Sequence, residues 1–168
     1  MYRNYAPTLR AQRKGVQDHG CDQVLWLLHD YVTEVGTMNF FVFWKNEDGN
    51  DELITPPLDG TILPGVTRDT ILTLMRELGE FEVTVRPFKV QELNKAINEN
   101  RVYEAFGAGT AAIVSPVQSY LHEDTTYKIP IEEDTGAGKL TSRILGMITD
   151  LQYARVKRPD WQIDVCKF

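Results

Sequence analysis

The stretch Leu63-Pro64-Gly65-Val66-Thr67-Arg68 has the composition of an anion-binding helix start. A turn-rich segment with Pro56, Pro57 and Gly60 leads into it. Ile71, Leu72, Met75 and Leu78 then recur at helical spacing, and Gly79 supplies a stop. A first helical turn has no intrahelical acceptors for its N–H groups, so the amides of Val66 and Thr67 sit at the positive end of the helix dipole, with the Thr67 hydroxyl beside them. The same pattern also describes an ordinary solvated helix start. A second small-residue stretch, Phe106-Gly107-Ala108-Gly109-Thr110-Ala111-Ala112, separates a strand at Val102–Ala105 from the apolar pair Ile113-Val114. Read as a glycine-rich turn, it allows a ligand close to the backbone and offers the Thr110 hydroxyl. Its alternative is a bulge or a tight bend.

The third chemical signal is a carboxylate. Thr33-Glu34-Val35-Gly36-Thr37-Met38-Asn39 lies between apolar strands, where an unpaired charge is costly to bury. Either Glu34 reaches solvent at a strand end, or it meets a cationic partner inside a site.

The elements that must position these groups are legible in order. A surface helix with a thin apolar face (Leu9, Ala11, Val16) is predicted from about Thr8 to Asp18, with Gly20 as its stop. Strands follow at Val24–Leu28 and from Tyr31-Val32, joined by a turn at His29-Asp30. The densest strand signal is Phe40-Phe41-Val42-Phe43-Trp44, and residues 46–50 turn it into a hairpin with Glu52–Thr55. The pattern then predicts the 66–78 helix, a strand over 81–86 and a short helix over 90–98. The strands flanking the small-residue stretch come next, followed by a polar loop from His122 and an extended piece at 127–131. A closing helix from Lys139 to Lys157 carries Leu140, Ile144, Leu145, Ile148 and Leu151 on one stripe, with Arg155, Lys157 and Arg158 as its cationic end. Residues 160–165 read as a last strand. This is an α+β pattern of antiparallel strands with packed helices in a single domain over residues 1–168.

Composition narrows the partners. The chain has 168 residues, 42% apolar and 25% charged, with a net charge of −6, so no basic surface for nucleic acid or anionic membrane is expected. Its two cysteines, Cys21 and Cys166, suggest neither a disulfide framework nor a metal cluster, and no metal site is expected. No apolar run has the length of a membrane span.

Taken together, the Thr33–Asn39, Pro56–Gly60, Leu63–Arg68 and Phe106–Ala111 motifs occur in the order and at the intervals of one family. With Asn4-Tyr5 and Asp160-Trp161, the chain resembles the branched-chain amino-acid aminotransferases, pyridoxal-phosphate enzymes of fold type IV, most closely the eukaryotic type. The resemblance extends over nearly the whole chain. It implies the large domain of that fold, with antiparallel strands in a pseudo-barrel. It also implies amino transfer between leucine, isoleucine or valine and 2-oxoglutarate, in a homodimer of the cytoplasm or the mitochondrial matrix. Among cofactor-binding residues, Glu34 would pair with the pyridine nitrogen, keeping the ring protonated as an electron sink. Leu63 would lie against the ring, and Tyr5 would donate to the ring hydroxyl. Val66, Thr67 and Thr110 would hold the phosphate. Thr37 and the Ala111 amide would hold the substrate carboxylate.

Two departures from the family pattern matter. The family's Schiff-base lysine precedes Gly-Gly-Asn-Tyr, whereas here Met1-Tyr2-Arg3 precede Asn4-Tyr5, and Lys14, Lys45, Lys89, Lys95, Lys128, Lys139, Lys157 and Lys167 all stand in other contexts. The expectation is therefore a C-terminal cofactor-binding domain, without the small domain and without a catalytic lysine, inactive as this isolated chain. A non-catalytic cofactor-binding or interaction module is the alternative of another class. Another fold type IV enzyme, such as a D-amino-acid aminotransferase or an aminodeoxychorismate lyase, is disfavoured by the intact Thr33–Asn39 motif. The Cys-x-x-Cys of mammalian-type members is replaced by Ala112 and Ser115.

Overall fold

Residues 40–44 are apolar at every position, so this strand has no polar face to turn to water and must be covered on both sides. The computed structural model, which describes residues 8–163, builds the domain around it. Strand β3 (Met38–Lys45) is the centre of a seven-stranded sheet with β1 (Leu25–Leu28), β2 (Tyr31–Val35), β4 (Asp51–Thr55), β5 (Glu82–Val85), β6 (Val102–Gly109) and β7 (Ile113–Pro116). One edge of β3 runs along β6. The other is shared, with β2 pairing at Met38 and Asn39 and β4 pairing from Val42 to Lys45. At the changeover the Thr55 hydroxyl donates to the Phe40 carbonyl at 2.7 Å. Beyond β5, the Val32 N–H donates to Phe88 O and the Val90 N–H to Asp30 O, so the chain returns to β2 and curls the sheet toward a barrel.

Two apolar layers cover the faces. Phe40, Val42 and Trp44 pack with Phe88, Val90, Leu93 and Ala96 on one side, beneath helix α3 (Val90–Asn98). On the other, Phe41, Leu53 and Phe106 pack against Ile71, Leu72 and Met75 of helix α2 (Val66–Leu78) and Ile144 and Ile148 of helix α4 (Lys139–Gln152). Phe41 and Phe106 stack across the strand pair with centroids 5.1 Å apart. Each such side chain contributes roughly 1.5–3 kcal/mol by burial. The amides of Phe40, Phe41 and Val42 are accordingly expected among the slowest in hydrogen exchange, and finding them among the fastest would contradict this arrangement.

The expected class, antiparallel strands with packed helices, is what the structure has. Helix α1 (Leu9–His19) carries no buried residue and ends on Gly20 in the left-handed conformation, as a thin-faced surface helix should. Several expectations need correction. β4 and β5 pair in parallel, because α2 forms a crossover between them. The polar loop from His122 is instead the turn of a separate hairpin, β8 (Ser119–His122) with β9 (Thr125–Lys128), whose Tyr120 and Tyr127 stack. The closing helix stops at Gln152, five residues short of Lys157, with Tyr153 as its C-cap. Arg155 and Arg158 therefore lie beyond the helix, bound to Asp150 and to Glu77 and Asp160. Residues 160–163 form a turn and a short non-strand segment, and the rest of the expected last strand lies outside the described residues.

Candidate active site

Glu34 and Asn39 face one another directly across the β2–β3 pair, which puts their side chains on the same face of the sheet. The segment before α2 passes over that face. The Leu63 N–H donates to Glu34 Oε1 at 3.1 Å, and Asn39 Nδ2 donates to Leu63 O at 2.9 Å. Glu34 is 9% exposed, and no cation faces its carboxylate among the described residues. Burial holds its carboxyl above the usual carboxylate range, and the Leu63 N–H partly offsets that. Its Oε2 accepts no hydrogen bond from the described residues. Arg68 Nε is the one buried side-chain polar atom without a partner among the described residues, so Glu34 Oε2 is reached by solvent: the carboxylate is held through one oxygen and presents the other, uncommitted, to a cationic donor.

Three residues after Leu63 the helix begins. Gly65 is the N-cap of α2 in an extended conformation and contributes no side-chain cap, so the first amides of the helix, at Val66 and Thr67, remain open to a ligand. Val66 is 83% exposed and Leu63 44%, both unusual for apolar residues beside a core. Arg68 anchors this end. It is 4% exposed, and its Nη2 donates to Pro56 O at 2.9 Å, tying the proline-rich segment to α2, while its Nε has no partner. Burial pulls the guanidinium below its ordinary value.

The remaining candidates sit on two adjacent turns. Val35 pairs with Met38 around the turn at Gly36-Thr37, and Gly109 pairs with Ile113 around Thr110-Ala111-Ala112. Because Asn39 pairs with Ala108, both turns emerge at the same end of the sheet, with Thr37, Thr110 and Ala111 exposed on its rim. Glu34, Leu63, Val66 and Thr67 thus cluster at the α2 start, and Thr37, Thr110 and Ala111 flank that end. Tyr5 lies outside the described residues.

The small-residue stretch has a different role from the one its sequence suggests. Gly107 and Gly109 lie within β6, and only residues 110–112 form the turn. A β-carbon at Gly107 would stand 2.9 Å from Met38 Cε and Val35 Cγ1, and one at Gly109 would stand 3.0 Å from Met38 Cγ. The glycines make room for Met38, a packing demand inside the domain. Sequence reasoning also passed over Asn39 and Arg68 as individual residues. Nothing in a linear pattern says that they hold the two ends of the 56–65 segment.

No lysine among the described residues hydrogen-bonds or ion-pairs with Glu34, Asn39 or Leu63. Lys95 binds Glu47 and Glu99, Lys139 binds Glu132, and Lys89 lies over the Tyr31 ring. No group of His, Cys, Asp and Glu suited to a metal occurs among the described residues. A groove between α4 and β7, lined by Val114, Pro116, Leu145 and Gly146, is separate from this cluster and shares no residue with it. Ala112 is exposed on the turn and Ser115 lies on β7, and because neither side chain carries a thiol no disulfide forms between these two positions.

A model of the class IV amino-transferases matches residues 3–120, which contain every group of this cluster. The chain belongs to the class IV aminotransferases. Among relatives of this class IV chain, a branched-chain-amino-acid aminotransferase of Dictyostelium discoideum is 56% identical over 163 residues, covering 96% of this chain and 43% of its own length. The cytosolic enzyme of Mus musculus is 51% identical over 164 residues (96% and 42%), and the mitochondrial enzyme of Schizosaccharomyces pombe 45% over 165 residues (95% and 38%). The chain spans about two-fifths of the length of these curated relatives. Among solved structures, a branched-chain amino acid aminotransferase complexed with N-(5'-phosphopyridoxyl)-L-glutamate superimposes with a TM-score of 0.69 at 25% identity, covering 95% of this chain and 46% of that one. The branched-chain enzyme of Escherichia coli gives 0.61 at 29%, covering 80% and 40%. The family expected from the motifs is therefore the family found, and it is one that implies pyridoxal phosphate.

Proposed function

We propose that this chain is the cofactor-gripping part of a branched-chain amino-acid aminotransferase, binding pyridoxal 5'-phosphate between Glu34 and the start of α2. The observation that carries the reading is Glu34, a largely enclosed carboxylate that no cation faces among the described residues, with one oxygen held by the Leu63 N–H and the other open, beside an open helix N-terminus. The residues fit the group. A protonated pyridine nitrogen supplies the missing cationic donor, and a phosphate suits the amides of Val66 and Thr67. When bound, the cofactor supplies an electron sink for amino transfer between leucine, isoleucine or valine and 2-oxo acids.

The chain's own groups divide the remaining work. Glu34 keeps the ring nitrogen charged. Leu63, exposed above Glu34, covers a ring face and excludes water. Thr67 and Thr110 add hydroxyl donors to the phosphate, and Thr37 with the Ala111 amide receives the substrate carboxylate on the rim. By the family resemblance, Tyr5, outside the described residues, would donate to the ring hydroxyl. Amino transfer also needs a base that moves a proton at the substrate Cα, and lysine serves this role in the family. We assign that base to no lysine of this chain, consistent with the absence of any contact between Glu34 and a lysine among the described residues. We read the enzyme as a homodimer of the cytosol or the mitochondrial matrix; of this, only the choice of compartments has the support of two relatives, one named cytosolic and one mitochondrial. Among the described residues no helix is long and apolar enough to cross a membrane.

Titrating the 168-residue chain with pyridoxal phosphate, followed by absorbance, tests the reading. Weak, saturable, non-covalent binding is expected, with no turnover of leucine and 2-oxoglutarate. Leucine turnover by the chain alone would overturn the assignment of the base, and absence of any binding would overturn the site.

A further inference from the structure

Asn39 is 5% exposed, and it closes a triangle of hydrogen bonds with two residues of the candidate site. Its Nδ2 donates to Leu63 O at 2.9 Å and lies 3.5 Å from Glu34 Oε1, the oxygen that accepts the Leu63 N–H at 3.1 Å. A carboxamide nitrogen has two hydrogens, one for each of these acceptors, and the reversed orientation would set oxygen against oxygen at Leu63. Room for the carboxamide exists because residue 65 is glycine, since a β-carbon there would overlap Asn39 Oδ1. Gly65 is not in a left-handed conformation (φ −75°), so its smallness serves this approach and not the backbone.

We propose that Asn39 is a positioning residue: it pins Leu63 so that the Leu63 N–H occupies one oxygen of Glu34, leaving the other for the cofactor ring nitrogen. This rests on the cofactor reading above. The inference joins two parts of the site that are distant in sequence, the carboxylate on β2 and the α2 start, through one side chain on β3. Arg68 holds the far end of the same segment at Pro56, so Asn39 is what fixes its near end. A purely structural asparagine would need only a satisfied carboxamide. Here the satisfied groups are the ones that set the environment of Glu34.

The test uses the full chain with carbon-13-labelled glutamate, the Glu34 carboxyl signal being identified by its loss in Glu34→Gln. Asn39→Ala removes the pin, and Gly65→Ala displaces the carboxamide without removing it. In both variants the Glu34 titration midpoint is expected to rise, because the Leu63 donor is lost while burial remains, and the Leu63 amide should exchange faster. Affinity for pyridoxal phosphate should fall about tenfold, the loss expected for one hydrogen bond to a charged site. A reduced melting temperature with an unmoved Glu34 midpoint would overturn the proposal, as would a midpoint falling toward the ordinary carboxylate value in a folded variant. If Asn39→Ala does not fold, Gly65→Ala decides. If wild-type chain binds no cofactor but the midpoint still rises in the variants, the cofactor reading fails and the coupling of Asn39 to Glu34 is supported.

Discussion

Glu104→Ala is expected to lower the unfolding free energy by about 3 kcal/mol, the loss of charge-assisted hydrogen bonds to two helix amides at roughly 1.5 kcal/mol each. For a domain of this size that is roughly 6–12 °C in melting temperature. Glu104 is 7% exposed on β6, inside the layer between sheet and α4. Its carboxylate caps α4, accepting the Leu140 N–H, the Thr141 N–H and the Thr141 hydroxyl, each at 2.8 Å. Gly138, the N-cap of α4, supplies no side chain of its own, and a β-carbon there would occupy the carboxylate's position. Removing the carboxylate would strand two buried amides. Glu104→Gln keeps one acceptor and should lose about half as much, while Gly138→Ala should approach the Glu104→Ala value. Thermal unfolding followed by circular dichroism measures all three. A Glu104→Ala chain within about 1 kcal/mol of the parent would mean that α4 does not depend on this cap.

Glu34→Gln is expected to do the opposite to stability and to harm function. Glutamine retains an acceptor for the Leu63 N–H but carries no charge into the buried site. Glu34 has its folded value raised by burial, so the native chain holds more protons than the unfolded one between the ordinary carboxylate value and the raised one. Stability therefore falls as pH rises through that window and is constant on either side. The variant should match the parent in acid and melt higher above the window. Its affinity for pyridoxal phosphate should drop roughly tenfold to a hundredfold, the loss of one charge-assisted hydrogen bond. Paired melting curves across pH and cofactor titrations at neutral pH measure the two effects. A variant that is less stable at neutral pH, with unaltered affinity, would remove Glu34 from the role assigned to it. The opposed signs are what a functional residue strained by its surroundings should give.

Much of this domain is determined by sequence alone. The 66–78 and 90–98 helices begin and end where their apolar periodicity and flanking residues place them, because local hydrogen bonding and side-chain spacing decide a helix. The run 40–44 had to become a central strand, since it has no face to offer water. The four motifs also carry the family, which a linear pattern can hold. What sequence could not decide involves contacts between distant segments. Whether Glu34 reached solvent or lay buried depended on the 56–65 segment crossing β2, and so on Asn39 and Arg68 gripping its ends. Gly107 and Gly109 were strand residues and not a turn, because Met38 on the neighbouring strand needed the space of two side chains. The 139 helix stopped early at Gln152 although its composition continued, and the Gln162 side chain donates to Leu151 O and Val156 O just beyond that end. Glu104 showed no signal at all in the sequence. Its value lies in two amides of a helix that starts thirty-five residues later, and only tertiary structure brings them together.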